Sequence, residues 1–220
     1  MTKLTLTAGV ARADITPPIG FRMQGIMRRI DPSVGVESPL LATALVLADE
    51  QTKIVILDCD LPGLDLPLVH EIRQRVSDRV DTQAINVMIG TTHTHTGPCT
   101  GRGIMGGPHH AGPRFGEIEA LDAYIEDLVN KLSGIAALAD NSRQPARFGC
   151  KRGHAEVAIN REELVEDGRV FVGRNPDGAT DHTVDVVRVD DLWGNPIAVL
   201  TGYAAHPVVM GLENQLISPD

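Results

Sequence analysis

Aromatic residues are scarce in this chain: four Phe, two Tyr and one Trp among 220 residues. Its core must therefore be aliphatic, and recognition resting mainly on ring stacking is excluded, which weighs against lipid or nucleobase platforms. Cysteine is also sparse. Cys59, Cys99 and Cys150 are odd in number and lack CxxC spacing, so a disulfide framework is excluded, and reduced thiols in a reducing compartment are the expectation. Small buried hydrophobes are their ordinary role. No apolar run approaches the roughly 20 residues needed to span a bilayer. The first twenty residues carry Lys3, Arg12 and Asp14 where a signal peptide would hold its apolar stretch, so the expected location is cytoplasmic. Basic residues number 20 against 29 acidic ones, a net charge of -9. That is the wrong sign for non-specific attraction to nucleic acid or anionic membranes. A Walker A loop, a GxGxxG after a strand and a GxSxG elbow are all missing, which removes the main support for nucleotide-dependent and serine-hydrolase chemistry.

What is present is the composition of an ordinary soluble globular protein, 42% hydrophobic and 22% charged. The length fits one domain over residues 1–220. Its 22 Gly and 14 Pro are dispersed and not gathered into a linker. Leu41 to Ala48 and Lys53 to Asp58 are apolar runs around a four-residue polar turn, which predicts a hairpin. Leu68, Ile72, Val76 and Val80 recur at helical spacing, and Ala84 to Gly90 reads as a buried strand, giving a strand-helix-strand unit. Leu121, Ile125, Leu128, Leu132, Ile135 and Ala139 predict a second helix. Val184 to Val189 and Ile197 to Ala205, around a Trp193-Gly194-Asn195-Pro196 turn, predict a second hairpin that delivers the chain to His206. Hairpins mixed with a helical crossover imply an α/β fold, layered, with a mixed β-sheet and flanking helices.

The chemistry concentrates at strand ends. Thr91-Thr92-His93-Thr94-His95-Thr96-Gly97-Pro98 follows the strand at Ala84 to Gly90. If that strand continues through the motif, His93 and His95 share one face and two imidazoles converge, a donor pair suited to zinc. A polar strand end is the alternative. His206, between an apolar run and Pro207, repeats the same logic, and a structural histidine is its alternative. Asp58 and Asp60 could ligate metal or orient a ligand histidine, or simply hydrogen-bond a loop. His109 and His110 fall in the Gly/Pro-rich stretch Gly101 to Gly116, expected to be a surface loop, and are not assigned as ligands. His70, His154 and His182 have only a solvated or core role. Arg161 in Ile159-Asn160-Arg161 could present a fixed guanidinium to an anion or a developing oxyanion, or form a salt bridge.

Taken together, GVARADITPP, Thr92 to Pro98, Ile159-Asn160-Arg161, and AAHPVVM followed by ISPD resemble the N-terminal catalytic region of the neutral/alkaline non-lysosomal ceramidase family. The resemblance implies a zinc-dependent hydrolase of sphingolipid metabolism that cleaves an amide (N-acyl) bond of a small-molecule substrate. It implies zinc ligation by His93 and His206, with His95 and Arg161 in the same active site binding substrate or stabilising charge. In the family a Glu and a Tyr far downstream complete the ligand set, so the expectation is a chain incomplete at its C-terminus, ending without an element to close the fold. A non-catalytic fragment of the fold, and a metal-dependent hydrolase of a sugar or ester, are the alternatives. The oligomeric state is not legible.

Overall fold

Aliphatic residues predominate in the central strands, Leu, Ala and Val from Leu41 to Ala48 and Ile, Val and Leu from Ile54 to Leu57. The computed structural model describes residues 6–26, 29, 31–100 and 117–220, and these divide into two compact units, Met1–Ala146 with Pro207–Asp220, and Arg147–His206.

In the first unit, strand β1 (Thr7–Asp14) runs antiparallel to β3 (Leu41–Ala48) along its whole length, from Thr7 opposite Ala48 to Asp14 opposite Leu41. A two-residue strand, β2 (Gly35–Val36), lies between them in sequence. The predicted hairpin joins β3 to β4 (Lys53–Cys59). Its polar turn is closed by the Asp49 carboxylate, which accepts from the backbone N–H of Gln51 and Thr52, both at 2.8 Å. From β4 the chain crosses through helix α1 (Leu66–Val80) to the parallel strand β5 (Val87–Thr91). Asp65 caps α1 by accepting from Leu68 N at 3.0 Å. The four predicted apolar positions, Leu68, Ile72, Val76 and Val80, form its buried face. Helix α2 (Glu117–Asn141) covers the same sheet with Leu128, Leu132, Ile135 and Ala139 in the core. Parallel and antiparallel pairs under helices make this the expected α/β layered fold.

Strand β6 (Gln144–His154) pairs with β1 through Gln144 and Pro145 and then enters the second unit. That unit contains the hairpin β7 (Asn160–Leu164) and β8 (Val170–Asn175), and the hairpin β9 (Thr183–Asp191) and β10 (Pro196–Tyr203). Tyr203 fastens it internally, its hydroxyl donating to Ala155 O at 2.8 Å and accepting from Ala158 N at 2.9 Å.

Three expectations are corrected. The strand expected at Ala84 to Gly90 begins as a 3-10 turn, Ala84–Asn86, because none of these residues is buried and Asn86 N donates to Gln83 O. The strand expected to reach Ala205 ends at Tyr203. The chain end does carry a closing element: β11 (Leu216–Ile217) adds in parallel to β2, with Ile217 in the core. His109 and His110 lie outside the described residues.

Candidate functional site

Strand β5 stops at Thr91, and the backbone turns sharply at His93, whose φ of 61° is left-handed. Residues other than glycine adopt that conformation uncommonly, and surrounding contacts hold it in place. Support comes from the loop after β4, where Thr92 N donates to Cys59 O and His93 N to Leu61 O, both at 3.0 Å. The strand therefore does not continue through the motif as expected, and His93 and His95 do not share a strand face. They meet through the turn, with ring centroids 4.8 Å apart and planes at 75°.

The backbone carbonyls around the two rings decide their tautomers. Nδ1 of His93 lies 2.5 Å from Pro62 O, and Nδ1 of His95 lies 3.0 Å from His93 O and 3.1 Å from Pro207 O. A carbonyl only accepts, so each Nδ1 carries the proton, and each Nε2 keeps the lone pair a metal ion needs. This is the arrangement in which metal-binding histidines are usually held. His95 is 5% exposed, and burial, with the neighbouring His93 second, holds its pKa below the ordinary histidine value. It is neutral at physiological pH.

The flanking threonines, whose hydroxyls the sequence offered along with backbone carbonyls as partners of the ring nitrogens, instead anchor the motif. Thr94 and Thr96 are fully buried and both hydroxyls reach Ser218 O, at 2.9 and 2.7 Å. Asp220 was missed, although ISPD was visible as a motif. Its Oδ2 accepts from His95 N at 2.5 Å and Thr94 Oγ1 at 3.2 Å, and its Oδ1 accepts from Met210 N at 3.1 Å. Arg29 donates to His95 O at 2.6 Å. Both sides of the His95 peptide are thus held by charged groups. Beneath the ring lies Gly25, at a left-handed φ of 109°, where an added Cβ would fall 2.6 Å from His95 Cγ and Cδ2. No signal short of three-dimensional contact could have identified Gly25 or Arg29.

The Asp60 carboxylate accepts from the N–H of Leu41, the first residue of β3, at 2.9 Å. Burial, then the charge of Asp60, raises the pKa of Asp58. In the second unit, Arg161 sits half-buried on β7. His154 and His182 form a ring pair 5.5 Å apart beside Glu156. His206 is exposed, the last residue of the second unit, and its peptide bond leads to Pro207, whose carbonyl receives the His95 Nδ1–H in the first.

Residues 6–220 match the family model for neutral/alkaline non-lysosomal ceramidase, N-terminal. The chain belongs to that family. It is 26% identical over its whole length to a neutral ceramidase of Drosophila pseudoobscura pseudoobscura, spanning 31% of that protein. Over 61% of its length it is 32% identical to neutral ceramidase A of Dictyostelium discoideum, covering 18% of it. The crystal structure of neutral ceramidase from Pseudomonas aeruginosa shares the fold of this ceramidase-family chain, with a TM-score of 0.78 and 23% identity over 99% of this chain and 34% of that one. The chain thus spans about a third or less of the relatives it matches.

Proposed function

We propose that the chain carries catalytic residues of a zinc-dependent hydrolase that cleaves the N-acyl amide bond of a ceramide-type lipid. His93 and His206 are its metal ligands, and His95 and Arg161 its substrate-side groups. The observation that carries the reading is the pair of carbonyl-locked tautomers, which readies Nε2 of both motif histidines for a metal or a substrate. His93, His95 and His206 together are a donor set suited to zinc. The printed names of the relatives, neutral ceramidases, supply the substrate class.

When bound, zinc supplies a Lewis acid and brings the pKa of water toward neutrality. His93 holds its proton on Nδ1 toward Pro62 O and offers Nε2. His95, neutral and buried, accepts at Nε2 while its ring is braced by Gly25, and Arg29 and Asp220 fix its peptide. Arg161 offers a permanent cation to the oxygen that gains negative charge as the amide carbon becomes tetrahedral.

Hydrolysis of a short-chain N-acylsphingosine, followed by mass-spectrometric detection of the released amine with zinc and with chelator, tests this. Chelator-sensitive release that falls at least about a hundredfold in His93→Ala is expected. Release unaffected by chelator and by His93→Ala would contradict the mechanism. Zinc binding without release would favour a binding role for this part of the protein.

A further inference from the structure

The single tryptophan of the chain is nowhere near a core. Trp193 is 83% exposed and its neighbour Leu192 is 58% exposed, both at the tip of the β9–β10 turn. The tip is stiff. Asp191, itself buried, accepts on Oδ1 from Trp193 N at 2.8 Å and Asn195 N at 2.9 Å, and on Oδ2 from Asn195 Nδ2 at 2.8 Å. Gly194 takes the left-handed φ of 95° that closes the turn. Arg188 braces it from β9 by donating to Gly194 O at 3.2 Å. Two large apolar side chains are thus presented to solvent on a frame that cannot fold them back.

Beside the tip lies an open cleft of about 490 Å³, lined by Arg147, Lys151 and Arg188 together with Phe148, Val186 and Asp190. Arg147 reaches the tip itself, with Nη2 3.2 Å from where a Gly194 Cβ would stand. Arg188 is paired with Asp190 at 2.7 Å. The side chains of Arg147 and Lys151 have no hydrogen-bond or ion-pair partner among the described residues. In a chain of net charge -9, this is a local concentration of cations. Distant acidic residues oppose it weakly, because charges are screened beyond about 8 Å at physiological ionic strength.

We propose that the Leu192-Trp193 tip is an anchor that inserts into a lipid surface, with Arg147 and Lys151 meeting the phosphate groups of the lipids. A tryptophan beside cations is the side-chain pattern of a membrane-water interface, where the ring sits at headgroup depth and the charges stay in the polar layer. A protein partner fits less well. Two side chains on a protruding turn fall far short of the roughly 800 Å² per side of a stable protein interface. The anchor is a feature of the second unit alone and does not depend on the hydrolase reading, because it is measured without turnover.

Trp193 is its own reporter. Titrating the protein with phosphatidylcholine vesicles containing phosphatidylglycerol is expected to shift its fluorescence to the blue, with quenching by brominated acyl chains. Leu192→Glu should weaken partitioning about tenfold. Arg147→Gln and Lys151→Gln should each weaken it about fivefold. All three positions are on the surface, and circular dichroism confirms that the variants are folded. No shift at any lipid concentration overturns the proposal, as does equal partitioning of the parent and Leu192→Glu. The same shift with inorganic phosphate alone would make this a soluble-anion site. A shift on raising protein concentration without lipid would make the tip a self-association contact.

Discussion

Asp220→Asn removes one charge and changes almost no volume, yet its consequences at the histidine turn are expected to be large. The Asp220 carboxylate accepts on both oxygens, from His95 N and Thr94 Oγ1 on one and from Met210 N on the other. An amide has a single accepting oxygen. In either flip its NH2 faces a backbone N–H, so one charge-assisted bond is replaced by two opposed donors. Hydrogen bonds to charged groups contribute about 1.5 to 3 kcal/mol, and the stranded N–H adds its desolvation cost. The Coulombic attraction between Asp220 and Arg29 is lost as well. The expected loss is about 3 kcal/mol, which corresponds to a fall in Tm of roughly 6 to 12 °C for a chain of this size. Urea and thermal unfolding measure it directly. Turnover should fall in parallel, because the freed His95 peptide no longer fixes the substrate-side ring. A change below about 0.5 kcal/mol, the usual scatter of surface substitutions, would refute the claim that Asp220 holds the turn.

Gly25→Ala places a methyl against the His95 ring at a left-handed backbone position, so turnover is expected to drop at least about tenfold, with a stability loss of about 1 to 3 kcal/mol seen in thermal unfolding. Cys59 is buried, and its thiol is pushed up to about 12 by that burial. In a thiol-reagent assay on the folded protein the exposed Cys150 should therefore react first and Cys59 only on unfolding. Burial depresses the pKa of His95, so the unfolded chain binds more protons there than the native one. Stability of the metal-free protein is therefore expected to be constant at neutral pH and to decline as pH falls below the ordinary histidine value of about 6.5, with a shallower decline in His95→Asn.

Periodic elements were legible because burial writes itself into spacing. Leu68, Ile72, Val76 and Val80 marked the buried face of α1, and the runs flanking Asp49 marked the β3–β4 hairpin. Apolar content alone misled at Ala84 to Asn86, where none of the residues is buried. The two motif histidines were visible as ligand types, but their relation was not. Strand alternation suggested a shared face, whereas a left-handed His93 and the Pro62 and Pro207 carbonyls set the geometry. Contacts across the chain, from Asp220 or Arg29 to His95, join residues separated by 125 and 66 positions and leave no local pattern to read.

X-ray absorption at the zinc edge, on protein supplied with the metal, tests the central claim most directly. A first shell containing imidazole nitrogen at about 2.0 to 2.1 Å is predicted, with the imidazole contribution reduced in His93→Ala and in His206→Ala. A zinc environment without histidine, or one that neither substitution alters, would contradict it.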